Sequence, residues 1–453
     1  MGRIRLEQAA QWCGGKIDPK YKDVTFLGAS NDTRTLEEGQ LFIALQGERD
    51  GHEFVPAALK KKAAAVLCSH CDGDYPAIVV ENPRIALGDI ARGERQRIGM
   101  QVIGITGSVG KSTTKEMVSS VLETTYRVRK TPVNHNNDIG MPMAILSMEE
   151  DTQVAVLEMG MNHFREIAYL GTIARPDIAI ITNIGTMHIE HLGSVEGILQ
   201  AKLEILENMP REGTVILNGD DALLWNQHKT SGMDPVYFGV RNPECRVLAQ
   251  DIREEDETLS FQVKTEKGTF PVELNLEGVH FVHDALAAIA VGLNLGVTPE
   301  NIQKGLKGFH NMANRQQIYE KNGFTIIEDC YNAGPESMAA ALSVLGNKKG
   351  RHVAVLGEML ELGVCTQAEH YKIGRIAAEK ADVVLAYGPN SERVLAGAVT
   401  GGMPLSRARG FTEKTKLVQV LKQLTKPGDV ILFKGSRGMH MENVLEQFLQ
   451  EDK

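Results

Sequence analysis

The chain has 453 residues, of which 42% are hydrophobic and 24% charged, the balance of a folded globular protein with room for about three domains. Lysine and arginine total 49 against 58 acidic residues, a formal charge of -9. Duplex binding by phosphate neutralisation calls for the opposite excess, so no nucleic-acid partner is expected, whereas a small anion needs only a local cluster of donors.

Residues 1–99 mix short strand-like runs (VTFLGAS, LFIALQG, AAVLCS, AIVVEN) with polar turns. The opening MGRIRLEQAAQWCGG has no apolar signal core, and no apolar stretch reaches the roughly 18 residues a spanning helix needs. The six cysteines (13, 68, 71, 245, 330, 365) are scattered, which reads as free thiols in a reducing compartment. The expectation is a cytoplasmic protein with no membrane partner.

From Met100 the pattern becomes strand, glycine turn and helix, repeated. QVIGIT is followed by GSVG and by KSTTKEMVSSVLET at helical spacing. QVAVLEMG, DIAIITNIG and GTVILNGDD continue as apolar strands, with VEGILQAKLEILENM as a helix between two of them. Short buried strands alternating with helices predict a parallel sheet covered on both faces. The period shifts to 2 around CRVLAQDIREEDETLSFQVKTEKGTFPVEL, which predicts a hairpin insertion, and the helical HDALAAIAVGLNLG closes the segment. After Asn314 the alternation restarts with FTIIEDCYN, HVAVLGEM, ADVVLAYG and GDVILFKGS as strands. The expected architecture is α/β with three domains. These are a mixed N-terminal domain (1–99), a central parallel-sheet domain with a phosphate loop (100–314) and a Rossmann-like C-terminal domain (315–453).

GSVGKSTTK carries the strongest chemical signal. Gly107, Ser108, Val109, Gly110, Lys111, Ser112 and Thr113 follow a strand and open a helix. Glycines there let backbone N–H groups converge on phosphate, aided by the positive helix end. Lys111 faces the β/γ-phosphates and Ser112 offers a hydroxyl to Mg²⁺, although the glycine spacing is two residues shorter than the general template. Glu158 and His188 fall at or just past strand ends, where ligands collect in an open parallel sheet, and both suit a divalent metal. Lys202, among Glu196, Glu204 and Glu207, reads by itself as a surface lysine in an intrahelical ion pair.

Taken together, ITGSVGKSTTK, NHNNDIGMP, VLEMGMNHFREIAYL, ITNIGTMHIEHLGS, AKLEI, DCYNAGPESM, VLGEMLELG and FKGSRGM resemble the successive blocks of the Mur ligase family. EMGMNHFREI, YNAGPESM and LGEMLELG resemble the members that add a dipeptide. The resemblance implies ATP-dependent amide formation in the cytoplasmic stage of peptidoglycan synthesis. D-alanyl-D-alanine would be joined to the terminal carboxylate of UDP-N-acetylmuramoyl-tripeptide through an acyl phosphate, by a monomer. It implies Ser112, Glu158, His188 and Lys202 as metal-site residues, Lys202 being carbamylated. It implies Arg315, Asp329, Tyr331, Asn332 and His280 on the ATP. Thr33, Arg34, Asn136 and Asn137 would serve the UDP-linked substrate, and Lys434, Ser436 and Arg437 the incoming dipeptide. The bland alternative for Asn136 and Asn137 is a helix-capping turn. One block departs: where the family shows His-Asn-x-x-Asn, this chain has His280-Phe281-Val282-His283-Asp284. Two rivals remain at this point, a sibling ligase adding a single amino acid and a binding protein that uses ATP only as a switch.

Overall fold

Four β-sheets organise the chain in the computed structural model, which describes residues 4–229, 234–255 and 257–450. The first part pairs β1 (Ile4–Arg5) with β2 (Thr25–Phe26). It also holds a parallel sheet of β3 (Ala29–Ser30), β4 (Leu41–Ile43), β5 (Ala65–Cys68) and β6 (Ala77–Val79) in that order. VTFLGAS is therefore split between two sheets. Gly28, at φ 71°, turns the chain between them.

The central sheet contains β7 (Gln101–Thr106), β8 (Val128–Lys130), β9 (Val154–Glu158), β10 (Ile178–Ile181) and β11 (Thr214–Asn218). It continues with β12 (Val236–Gly239), β13 (Val247–Glu255), β14 (Thr258–Thr265) and β15 (Gly268–Leu274). The order is β15-β14-β13-β12-β11-β10-β7-β9-β8. Pairing is parallel from β8 to β13 and antiparallel among β13, β14 and β15. The segment expected as an insertion thus extends the same sheet at its edge.

Alternation along the strands explains the layering. Ile103, Ile105, Val154, Val156, Ile178 and Ile180 face one core with the helices Lys111–Leu122 and Phe281–Asn294. Val102, Ala155, Leu157, Ala179 and Ile181 face the other, which runs through the helix Pro83–Ile98 to Leu41, Ile43 and Leu67 of the first sheet. Both faces are covered, as near-continuous apolar strands require.

The C-terminal sheet contains β16 (Gln317–Lys321), β17 (Phe324–Asp329), β18 (Arg351–Gly357), β19 (Val383–Tyr387), β20 (Ala408–Phe411) and β21 (Asp429–Lys434). Its order is β16-β17-β21-β18-β19-β20, with one antiparallel hairpin at the β16 edge. The register sets Asp329 opposite Lys434 at the carboxyl ends of β17 and β21. No helix among the described residues is long and apolar enough to cross a membrane.

Candidate active site

In the central sheet β7 lies between β9 and β10, so the chain leaves β7 toward one side and later returns to fill the other. The crevice beyond the carboxyl ends at such a reversal is the natural ligand site of an open α/β sheet. The turn after β7 occupies it. Gly110 has φ 86°, and a Cβ there would stand 2.5 Å from Asp284 Oδ1, so both conformation and space demand glycine. The segment following β10 braces the loop. Ser108 N–H donates to Asn183 O at 3.1 Å, Val109 N–H to Asn183 Oδ1 at 3.0 Å, and Thr182 Oγ1 to Val109 O at 2.6 Å. Lys111 Nζ donates to the Gly107 and Ser108 carbonyls at 2.8 and 3.3 Å, folded over its own loop. Burial pulls this amine below its usual pKa, and Glu158 opposes the shift.

Glu158, the last residue of β9, is buried and fully engaged. It accepts from Ser112 Oγ at 2.6 Å and from Asn136 Nδ2 at 2.9 Å, with Lys115 Nζ 4.0 Å away. Burial works to raise its pKa, but Lys111, Ser112, Lys115 and Asn136 together hold it below the ordinary carboxylate value, so it is an anion. Asn136 therefore belongs to the cleft through Glu158. Asn137 lines the same cleft but spends its Oδ1 on the N–H groups of Ile139 and Gly140, the capping role of the bland alternative.

A cleft of about 500 Å³ runs from the phosphate loop to the C-terminal domain. Arg315 donates to Ser112 Oγ at 2.9 Å while its guanidinium lies 3.8 Å from the centre of the Tyr331 ring, and Tyr331 Oη donates to Asn134. Lys434 is buried and bonded to Asp329 Oδ2 at 2.5 Å and to Asn332 O at 3.0 Å. His280 faces this pair, and burial drives its pKa down to about 4, so it is a neutral imidazole at physiological pH.

Ser112, Glu158 and His188 all line the cleft. Among the described residues no three His, Cys, Asp or Glu side chains converge into a metal cage. One ionised carboxylate, one hydroxyl and one imidazole suit a cation that takes its remaining ligands from phosphate oxygens and water, the usual habit of Mg²⁺. His188 Nδ1 lies 2.6 Å from Glu361 Oε2 of the C-terminal domain.

Other expected site residues lie elsewhere. Arg34 is exposed and held by Asp32 through both carboxylate oxygens, and neither it nor Thr33 reaches the cleft. Ser436 is buried between Ala333 O and Leu360 N, and Arg437 is drawn toward Glu442. The surface ion-pair reading of Lys202 fails. Its side chain is buried and makes no hydrogen bond or ion pair among the described residues. Glu204 accepts instead from the N–H groups of Arg165 and Ala168, and Glu207 from the Arg165 guanidinium. Burial first, and then the charge of Lys111, push the Lys202 amine well below the usual lysine value. Sequence reasoning misses Lys115, Asn183 and Glu361. All three lie inside motifs whose other residues carry the stronger signal, and Glu361 meets the cleft residue His188 only through the packing of two domains.

The chain matches the model of the Mur ligase middle domain over residues 105–292 and that of the Mur ligase, glutamate ligase domain over 314–437. It is 40% identical to UDP-N-acetylmuramoyl-tripeptide--D-alanyl-D-alanine ligase of Bacillus subtilis, covering 96% of both chains. It is 35% identical to the Escherichia coli protein of the same name, covering 99% of both. A crystal structure of MurF from Acinetobacter baumannii superposes with a TM-score of 0.91 at 32% identity over the full length of both chains. MurF ligase from Thermotoga maritima in complex with ADP gives 0.82 at 28% identity, covering 93% of this chain and 97% of that one. A phosphate loop facing a second α/β domain across one cleft, and full-length similarity of this degree, place the chain in the Mur ligase family.

Proposed function

We infer that the protein is an ATP-dependent ligase that joins D-alanyl-D-alanine to UDP-N-acetylmuramoyl-tripeptide in peptidoglycan synthesis. The observation that carries this is the cleft itself. Lys111 and the anionic Glu158 stand on its central wall, Asp329 and Lys434 on its C-terminal wall, and Arg315 reaches across to Ser112.

A carboxylate is a poor electrophile until one oxygen becomes a leaving group. In the first step the tripeptide carboxylate oxygen bonds to the γ-phosphorus, the bond to the bridging oxygen breaks, and ADP leaves. In the second the dipeptide amine bonds to the acyl carbon, loses a proton, and phosphate departs with the C–O electron pair. The first step brings two anions together, so positive charge must be fixed beforehand. Lys111 leaves its loop carbonyls for the β/γ-phosphate oxygens, and Arg315 lies one hydroxyl away. Mg²⁺, when bound, neutralises further phosphate charge. Ser112, Glu158 and His188 are the residues that would hold it.

Lys202 fits a carbamate in one respect. CO₂ reacts only with the neutral amine, and burial together with Lys111 favours that form. Nitrogen bonds to the CO₂ carbon and loses a proton to water, which turns a potential cation into an anion beside Lys111. Thr33 and Arg34 remain candidates for the UDP moiety from the N-terminal domain, and Lys434 for the dipeptide side. The protein acts in the cytoplasm as a monomer. Phosphate release should require ATP, the UDP-muramoyl tripeptide and D-alanyl-D-alanine together. Equal release with single amino acids in place of the dipeptide would point to a sibling ligase.

A further inference from the structure

Asp284 opens the helix Phe281–Asn294 at a position where the family resemblance expects asparagine. It lines the nucleotide cleft, yet its side chain is almost wholly enclosed. Thr114 Oγ1, one turn into the helix that follows the phosphate loop, donates to Oδ1 at 2.7 Å. The same oxygen overhangs Gly110 so closely that a Cβ there would be 2.5 Å away. A carboxyl group is thus packed directly against the backbone that must receive a polyphosphate.

We propose that Asp284 is a positioning residue for the nucleotide: as a neutral acid it braces the phosphate loop through Thr114 and Gly110, and once ionised it repels the incoming phosphates. Three observations support this. The charge has little solvent to spread into, which by itself favours the protonated acid and brings its pKa up to about 7. The groups facing it are few. Thr114 donates from the loop helix, His283 comes from its own helix but is engaged 2.8 Å from Asp220, and Arg315 comes from the start of the C-terminal domain. All three favour the ionised form, and burial outweighs them. Finally, an asparagine would present the same shape with no charge to lose, so the aspartate adds a proton-linked step to nucleotide binding.

The sign follows from linkage. A bound polyphosphate favours the protonated acid, so binding takes up a proton near neutrality and affinity falls as pH rises. The limit is about ten-fold per pH unit, between the titration points of the free and bound forms.

The test reads nucleotide binding alone, so it stands apart from whether the ligase substrates have been assigned correctly. ADP affinity is measured by calorimetry at about pH 6.5 and about pH 8.5, in pairs of buffers with different ionisation heats. The parent should bind roughly 5- to 30-fold more weakly at the higher pH and take up a fraction of a proton on binding. Asp284→Asn should bind more tightly than the parent at the higher pH. It should also lose that part of the pH dependence and proton uptake not owed to ADP itself. Thr114→Val, which removes a donor that favours the anion, should move the loss of affinity to higher pH. Equal pH slopes and proton uptake in parent and Asp284→Asn overturn the proposal. If Asp284→Asn does not fold, an unshifted profile in Thr114→Val overturns it instead.

Discussion

Lys111 is the residue whose loss should be felt most in turnover and least in folding. Among the described residues its ammonium bonds only to carbonyls of its own loop, and burial already works against its charge. Lys111→Ala should lower kcat by about 10²–10³, the usual cost of removing one preorganised donor from a developing charge. The melting temperature should stay within a few degrees of the parent, because the loop is braced by Asn183 and Thr182. Near-parental phosphate release from a normally melting variant would remove Lys111 from the chemistry. Lys202 calls for a different pair of variants. Lys202→Ala should lose most activity and regain part of it in acetate, whose carboxylate can occupy the emptied space. Lys202→Arg should show no rescue, since a guanidinium still fills the site as a cation. Intact-mass measurement of active parent enzyme should show the added CO₂, and its absence from fully active protein would sink the carbamate.

At the level of elements, the period-2 alternation that places Ile103 and Ile105 on one face and Val102 on the other is legible in the amino-acid sequence alone. So is the strand–glycine–helix punctuation around Gly110. The edge strands β8 and β20 are not, because so few residues do not let alternation register, and β16, as long as β9, is the largely polar QIYEK with no buried position. The break after Leu203 is also hidden. VEGILQAKLEILENM reads as one helix, but the chain tightens to a single 3₁₀ turn at Glu204–Leu206, and burial turns Lys202 inward. Asp220 is illegible for a third reason: its partners are distant in sequence. It follows β11 and accepts from the N–H groups of Val240, Arg241 and Asn242 at 2.7, 2.9 and 2.8 Å, and pairs with His283. Burial would raise its pKa, yet His283 and these donors hold it far below the usual carboxylate value. Its stabilising effect is therefore full above the unfolded pKa of about 3.9 and is lost as pH falls through the folded value. Asp220→Ala strands three backbone donors and should cost about 2–4 kcal/mol, read as a lower urea midpoint with an unchanged slope. A loss below about 0.5 kcal/mol, the range of ordinary surface substitutions, would mean the turn holds itself.

Across the whole molecule, the candidate site is divided between two bodies, each built on its own apolar cores. The N-terminal and central sheets share a core through the helix Pro83–Ile98, whereas the C-terminal sheet closes its own two layers. What joins the C-terminal domain to the cleft is mostly polar, apart from Cys365 against the shared core and Met187 against Gly334. Arg315 reaches Ser112, Tyr331 meets Asn134, Lys348 pairs with Glu277, and Glu361 meets His188, while the Glu361 carbonyl accepts from Glu190 N–H at 3.4 Å. Opening such an interface exposes little apolar core, and its Lys348–Glu277 ion pair weakens with salt, so hinge motion is the expected behaviour. Closure is also what the chemistry needs, because reacting atoms must be brought to about 3–3.5 Å. Glu361→Ala removes one cross-domain pair without touching the phosphate loop. It should shift small-angle scattering toward a larger radius of gyration, more so at about 0.5 M salt, where the screening length is only a few ångströms. Its kcat should fall more than its affinity for ADP, since the phosphate loop lies on the central wall, away from this pair. Parent and variant with the same radius of gyration in low and high salt, with and without ATP analogue and substrates, would show a rigid pair of domains, and the closure account would fail.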